Sequence, residues 1–148
     1  MKKTVHSIIL LLVFTVVNCQ SKSNYVEVSK SELDQEKIEF AKSLSDKILT
    51  AQKDGKFYSL SENEATLQMV EGLDESRQKD SHKKIKAIFG NYESLTFESA
   101  MKNVNGNKLL IYRFKGYFDS NIDVEVRTVL NFEGKLAGFF IKPWKEEL

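Results

Sequence analysis

The sequence predicts an α+β fold, with N-terminal helices packed on a curved four-stranded antiparallel meander. Three observations carry this. Apolar residues recur at helical spacing as far as Phe89. From Tyr92 onward the spacing falls to two. The turns between the later segments allow registers in which apolar residues meet apolar ones. The bulk composition agrees: 148 residues, 41% hydrophobic and 29% charged, describe one globular domain of ordinary size.

The first element lies outside that fold. Lys2 and Lys3 precede an apolar run, Ile8 to Val17, broken only by Thr15. The run is about half the roughly 20 residues that a membrane-crossing helix needs. Residues 1–18 therefore read as a secretory signal. The run leads into Val16-Val17-Asn18-Cys19, which holds the only cysteine of the chain.

Those four residues resemble the lipobox of bacterial lipoproteins, in which a peptidase cleaves before the Cys and the Cys becomes the lipid-modified first residue. Asn18 stands where that family usually has Gly, Ala or Ser. The resemblance implies that Cys19 is the lipidation site. It also implies that the membrane is the partner reached through that lipid, and that the location is the bacterial cell envelope. Several acyl chains on one Cys anchor stably, where a single chain would not. In some bacterial groups an acidic run after the Cys marks such lipoproteins for the outer surface; none follows Cys19, so the resemblance implies a periplasm-facing position. The residues leave two other readings open. Cleavage after Ser21 would give a secreted soluble protein, and Cys19 can be an ordinary residue of the apolar run. With one Cys, no internal disulfide can form. Residues 19–30 then read as a polar tether and residues 31–148 as a single α+β domain.

Ser31-Glu-Leu-Asp34 is a capping-box-like helix start. Leu33, Phe40, Ala41, Leu44, Ile48 and Ala51 share one helical stripe, with Ile38 and Leu49 off its edge, and Gly55 closes the helix. Ser61-Glu-Asn-Glu64 is a second capping box, starting a short helix through Val70 that Gly72 ends. Asp74 opens a third helix, with Ile85, Ile88 and Phe89 inward and Gly90-Asn91 as the stop.

Four strands are expected, at about Glu93–Lys102, Lys108–Phe118, Ile122–Phe132 and Leu136–Trp144. Asn105-Gly106 is a strong hairpin signal, because a type I′ turn needs positive φ at both central residues. A two-residue loop there pairs Met101 with Leu110, Ser99 with Tyr112 and Phe97 with Phe114, and sets Glu98 opposite Arg113. A three-residue loop, Asp119-Ser120-Asn121, pairs Phe118 with Ile122, Phe114 with Val126, Tyr112 with Thr128 and Leu110 with Leu130, with Lys115 facing Glu125. The last strand is apolar on both faces, so its register stays open. The expected inner face is Leu95, Phe97, Met101, Leu110, Phe114, Val124, Val126, Leu130 and Phe132.

The series "KDGKF", "IFGNYESL" and "NFEGKLAGFFIKP" in this order of elements resembles a family of small secreted bacterial domains with the nuclear transport factor 2-like, cystatin-like cone fold. The resemblance runs from about Ser31 to the C-terminus. Its firmest pieces are Gly55-Lys56-Phe57, Phe89-Gly90 and Gly134-Lys135-Leu136-Ala137-Gly138. These are helix stops and turn residues, so the resemblance implies a fold and not an activity. Enzymes of that superfamily carry an acid or base inside the cone, and no such residue can be carried over to this chain.

Charge limits the partners. Loss of residues 1–18 removes Lys2 and Lys3, leaving 20 basic against 21 acidic residues. No field of one sign is available for a nucleic-acid backbone, and no nucleic-acid partner is expected. On the expected inner face the polar groups are Ser99, Tyr112 and Thr128. They can be satisfied within a core or line a small ligand pocket. His82 is the only His after the signal and has no second His or Cys beside it, so no metal site is expected. Glu98, Arg113, Lys115, Glu125 and Arg127 read as a solvated cross-strand ladder. Phe139, Ile141 and Trp144 read as an apolar strip on the outer sheet face, fit for a protein partner or a homodimer. The sequence nominates no catalytic residue and no cofactor. The expected role is a lipid-anchored, non-catalytic binding or assembly domain of the cell envelope. The alternative is a small-molecule-binding or enzymatic domain using the cone pocket around Tyr112.

Overall fold

The computed structural model describes residues 24–105 and 109–146. The signal segment, Cys19, Ser21 and Gly106 lie outside the described residues. Strand β1 (Tyr25–Glu27) is followed by helices α1 (Gln35–Lys53), α2 (Leu67–Gly72) and α3 (Glu75–Phe89). Strands β2 (Tyr92–Asn103), β3 (Leu110–Phe118), β4 (Val124–Leu130) and β5 (Leu136–Pro143) complete the chain. The five strands form one antiparallel sheet in sequence order.

The sheet therefore has five strands, not four. Tyr25 to Glu27 pair with Asn103 to Met101, and Val28 donates its N–H to the Ala100 carbonyl at 2.8 Å and is buried. A twelve-residue β2 exposes a long edge once β3 covers its other side, and this short segment covers part of it. The domain thus begins before Ser31, within the stretch expected to be tether.

Helix α1 starts later than its first Ser suggests. Ser29, not Ser31, closes a box with Glu32 (Oγ to Oε2, 2.9 Å) around a single 3-10 turn. Leu33 and Asp34 are extended, and Asp34 caps α1 by accepting the Lys37 N–H at 3.3 Å. The buried face of α1 is Ile38, Ala41, Leu44, Ser45, Ile48, Leu49 and Gln52. Two polar residues sit in that stripe, and Phe40 and Ala51 lie half-buried at its margin.

The Ser61 box forms, with Ser61 Oγ donating to Glu64 Oε2 at 2.8 Å, yet no helix runs through it. Leu136 N–H donates to the Glu64 carbonyl and Thr66 N–H to the Leu136 carbonyl, both at 2.9 Å. This bridge to β5 claims the backbone that a helix would need. Thr66 then caps α2 afresh. Asp74 caps α3 as expected, accepting the Arg77 N–H at 2.8 Å. Ile88, however, is 56% exposed, and α3 buries only Gln78 and Phe89. Gly90 ends α3 with φ +83°, and a Cβ there would collide with the Asp119 carboxylate.

The β3–β4 register is the expected one, through Leu110–Leu130, Tyr112–Thr128, Phe114–Val126 and Lys115–Glu125. The β2–β3 register agrees at Phe97–Phe114 and shifts by one residue between Phe97 and Ser99. Beyond that bulge Ala100 faces Tyr112, Ser99 faces Arg113, and Met101 faces Ile111. Met101 therefore leaves the inner face and Ala100 takes its place. Phe132 lies past the end of β4 and is 69% exposed, and Ile122 is an exposed loop residue. The core joins Ile38, Ala41, Leu44 and Ile48 of α1 to Leu95, Tyr112, Phe114, Val124, Val126 and Leu130 of the sheet.

Candidate functional site

The inner-face trio does not converge. Thr128 is fully buried, 2.6 Å from Ser45 Oγ, and Ser45 itself donates to the Ala41 carbonyl at 2.7 Å. The proton in the Ser45–Thr128 bond is therefore Thr128's, and that hydroxyl is committed to α1. Tyr112 is buried, and its hydroxyl is pushed up to about 12, first by burial and then by the charge of Asp34. Ser99 lies opposite Arg113 on the other face of the sheet. One bulge separates Ser99 from the two residues it was expected to join.

That other face carries the stronger constellation. Arg113 and Arg127 are direct cross-strand neighbours, as are Glu125 and Lys142. Like charges directly opposite repel. Here Glu125 lies between them, fully buried, and accepts Arg113 Nε and Arg127 Nε on Oε1 at 2.6 Å each. Lys142 Nζ stands 3.4 Å from Oε2. Burial pushes the Glu125 carboxyl upward, but the hydrogen bonds and charges of Arg127 and Arg113 outweigh it and hold the group below its ordinary range.

A solvated ladder does not describe this cluster. Glu98 falls at the bulge and does not face Arg113, and Lys115 pairs with Asp123 at 3.3 Å. The C-terminal segment folds back over the sheet. Trp144 donates its backbone N–H to the Asp123 carbonyl at 2.8 Å. Its ring lies 4.7 Å from the Arg113 guanidinium carbon, and Arg113 Nη2 donates to the Lys145 carbonyl at 2.7 Å. Trp144 is thus a cover for Arg113 more than a free surface residue.

The expected apolar strip is also redistributed. Phe139 faces Thr128 and Ile141 faces Val126, so both point inward and pack on the core. Phe140, opposite Arg127, is the outward residue and is 57% exposed. It borders an outer-face groove of about 390 Å³ with Tyr25, Ile111, Val129, Arg127 and Lys142. Gly138 keeps this groove open: a Cβ there would meet the Phe140 ring at 3.0 Å. Strand parity could have singled out Phe140, had the β4–β5 register been fixed. The return of Trp144 left no comparable signal.

Chemically the outer face suits binding. A carboxylate held below its ordinary range by two arginines is a poor base at neutral pH. His82 is half-buried on α3, with its pKa lowered by burial and by Lys86. Among the described residues no group of three His, Cys, Asp or Glu side chains could hold a metal ion, and no helix is long and apolar enough to cross a membrane. Comparison of the chain with protein-family models, curated proteins and solved structures finds no significant match.

Proposed function

We propose that this chain is a lipid-anchored, non-catalytic binding domain of the bacterial cell envelope. It holds an acidic protein segment on the outer face of its sheet. The observation that carries the binding surface is the groove beside exposed Phe140, lined by Arg127 and Lys142, two of the three cations that share the buried Glu125 carboxylate. The unbalanced positive charge favours an acidic occupant, and Phe140 offers it an apolar anchor. The anchoring rests on Val16-Val17-Asn18-Cys19 behind a basic and then apolar leader. The order of helices and meander supports a nuclear transport factor 2-like fold.

Two measurements test the reading. Mass spectrometry of the envelope-extracted protein should find an acylated N-terminal Cys19; an unmodified N-terminus at residue 22 would instead make it a secreted soluble protein. Cross-linking in intact cells should capture a partner that Phe140→Ser loses. An unchanged cross-linking profile would remove the groove from the proposal, and a self-cross-link would make the partner a second copy.

A further inference from the structure

A second cleft lies on the opposite side of β5, between α3, the end of α1 and the inner face of the sheet. Its volume is about 240 Å³, and its lining includes Gln52, Ile85, Phe89, Phe139 and Ile141. The walls are mostly aliphatic and aromatic. The polar lining residues are Gln52, Ser81 and Lys84, and of these Gln52 is 3% exposed with a side-chain carbonyl that has no hydrogen-bond partner.

A second buried glutamine nearby shows what is missing. Gln78, fully buried on α3, accepts the Tyr58 N–H at 3.0 Å and donates to the carbonyls of Tyr58 at 2.7 Å and Leu73 at 2.8 Å. Every polar direction of that amide is used. Gln52 buries the same group without the return, and a buried carbonyl left unpaired bears its desolvation cost in full. Gln52 lines the cleft, so a ligand there is placed to supply the missing donor.

We propose that this cleft is a binding site for a small neutral amphiphile, an apolar body ending in one hydroxyl group that hydrogen-bonds to Gln52. A hydroxyl fits because it can donate to the carbonyl and accept from the amide nitrogen. The volume lies below the usual pocket range of roughly 300–1,000 Å³ and limits the ligand to a small one. Lys84 is the only charged lining residue, so a cationic ligand is disfavoured. Phe139 and Ile141 belong to this inner site, on the side of β5 away from Phe140. The proposal does not depend on the lipid anchor or on the outer groove.

The test is a matched pair of probes, 1-octanol and octyl methyl ether, titrated into the purified protein with the methyl signals of Ile85 and Ile141 followed by NMR. The alcohol is expected to shift both signals saturably, and the ether to bind about tenfold more weakly, the size of one lost hydrogen bond. Gln52→Met keeps the side-chain length, removes the amide and should bind both probes equally. The alcohol–ether comparison on the unaltered protein stands even if that variant fails to fold. Equal affinity for the two probes, or no saturable shift with the alcohol because water satisfies Gln52, would overturn the proposal. So would a Gln52→Met protein that still prefers the alcohol.

Discussion

Arg113 and Arg127 face each other across β3 and β4 and donate to the same oxygen of Glu125, each at 2.6 Å. Two cations held together by one buried anion make the anion indispensable. Glu125→Ala should destabilise the fold by about 3–5 kcal/mol, the cost of leaving buried charges uncompensated. Urea unfolding measures it, and a loss below about 1 kcal/mol would show that the arginines escape to solvent.

The same carboxylate predicts a pH dependence. Its pKa in the fold lies below the ordinary value of 4.5. A depressed carboxyl contributes stability that is complete above the unfolded pKa and is lost as pH falls through the folded one. Stability should therefore fall below about pH 4.5, and Glu125→Gln should flatten that fall. Parallel profiles for the two proteins between pH 3 and 6 would assign the acid sensitivity elsewhere.

The hydroxyl pair beneath the sheet should respond asymmetrically. Ser45 keeps its bond to the Ala41 carbonyl when Thr128 is lost, whereas Thr128 has Ser45 as its acceptor. Ser45→Ala should cost about 1–3 kcal/mol by stranding a buried hydroxyl. Thr128→Val should cost less, and the double variant should recover part of the Ser45→Ala loss. A thermal-unfolding cycle with equal single losses would contradict the proton assignment.

These polar pairs mark where the sequence was readable and where it was not. The α+β order, the Asp74 cap, the Gly55 and Gly90 stops and the β3–β4 register from Leu110–Leu130 to Lys115–Glu125 followed from local signals, whereas the expected Phe118–Ile122 pair does not form. Each depends on turn chemistry or on cross-strand parity within a few residues. The failures share a different cause, which is competition from distant backbone. Leu136 interrupts the Ser61 helix, β2 recruits Tyr25–Glu27, and a bulge at Glu98 moves Ser99 to the other face. Ser45 and Gln52 went unnoticed on the buried stripe because apolar periodicity does not register a polar residue whose partner, or lack of one, lies across the core. For the site, Arg113, Glu125 and Arg127 were legible as one face, but their burial required the C-terminal fold-back.

Gly90 gives a local test. Any side chain there meets both a left-handed backbone and the Asp119 carboxylate, which accepts the Asn91 N–H and Nδ2–H at 2.6 Å each. Gly90→Ala should cost about 1–3 kcal/mol, the scale of a non-Gly residue forced into that region. Combining it with Asp119→Ala should relieve the collision but not the backbone strain. Differential scanning calorimetry of the set separates the two causes.

Trp144 and Phe140 should part company under substitution. Trp144→Ala uncovers Arg113 and should destabilise by about 1–2 kcal/mol. Phe140→Ala, at an exposed position, should stay within about 0.5 kcal/mol of the parent. Cross-linking should show the reverse order, with the larger loss from Phe140. A single aromatic residue that governs both readouts would merge cover and contact into one surface.

Strand β1 also sets a leash. From Cys19 to Tyr25 is six residues, a fully stretched reach of about 20 Å, against about 40 Å for the twelve residues to Ser31. Tyr25 lines the outer groove as well as pairing with β2. Under the proposed anchoring, the groove's Tyr25 wall therefore stays within about 20 Å of chain from the lipid, and the groove rides close to the bilayer.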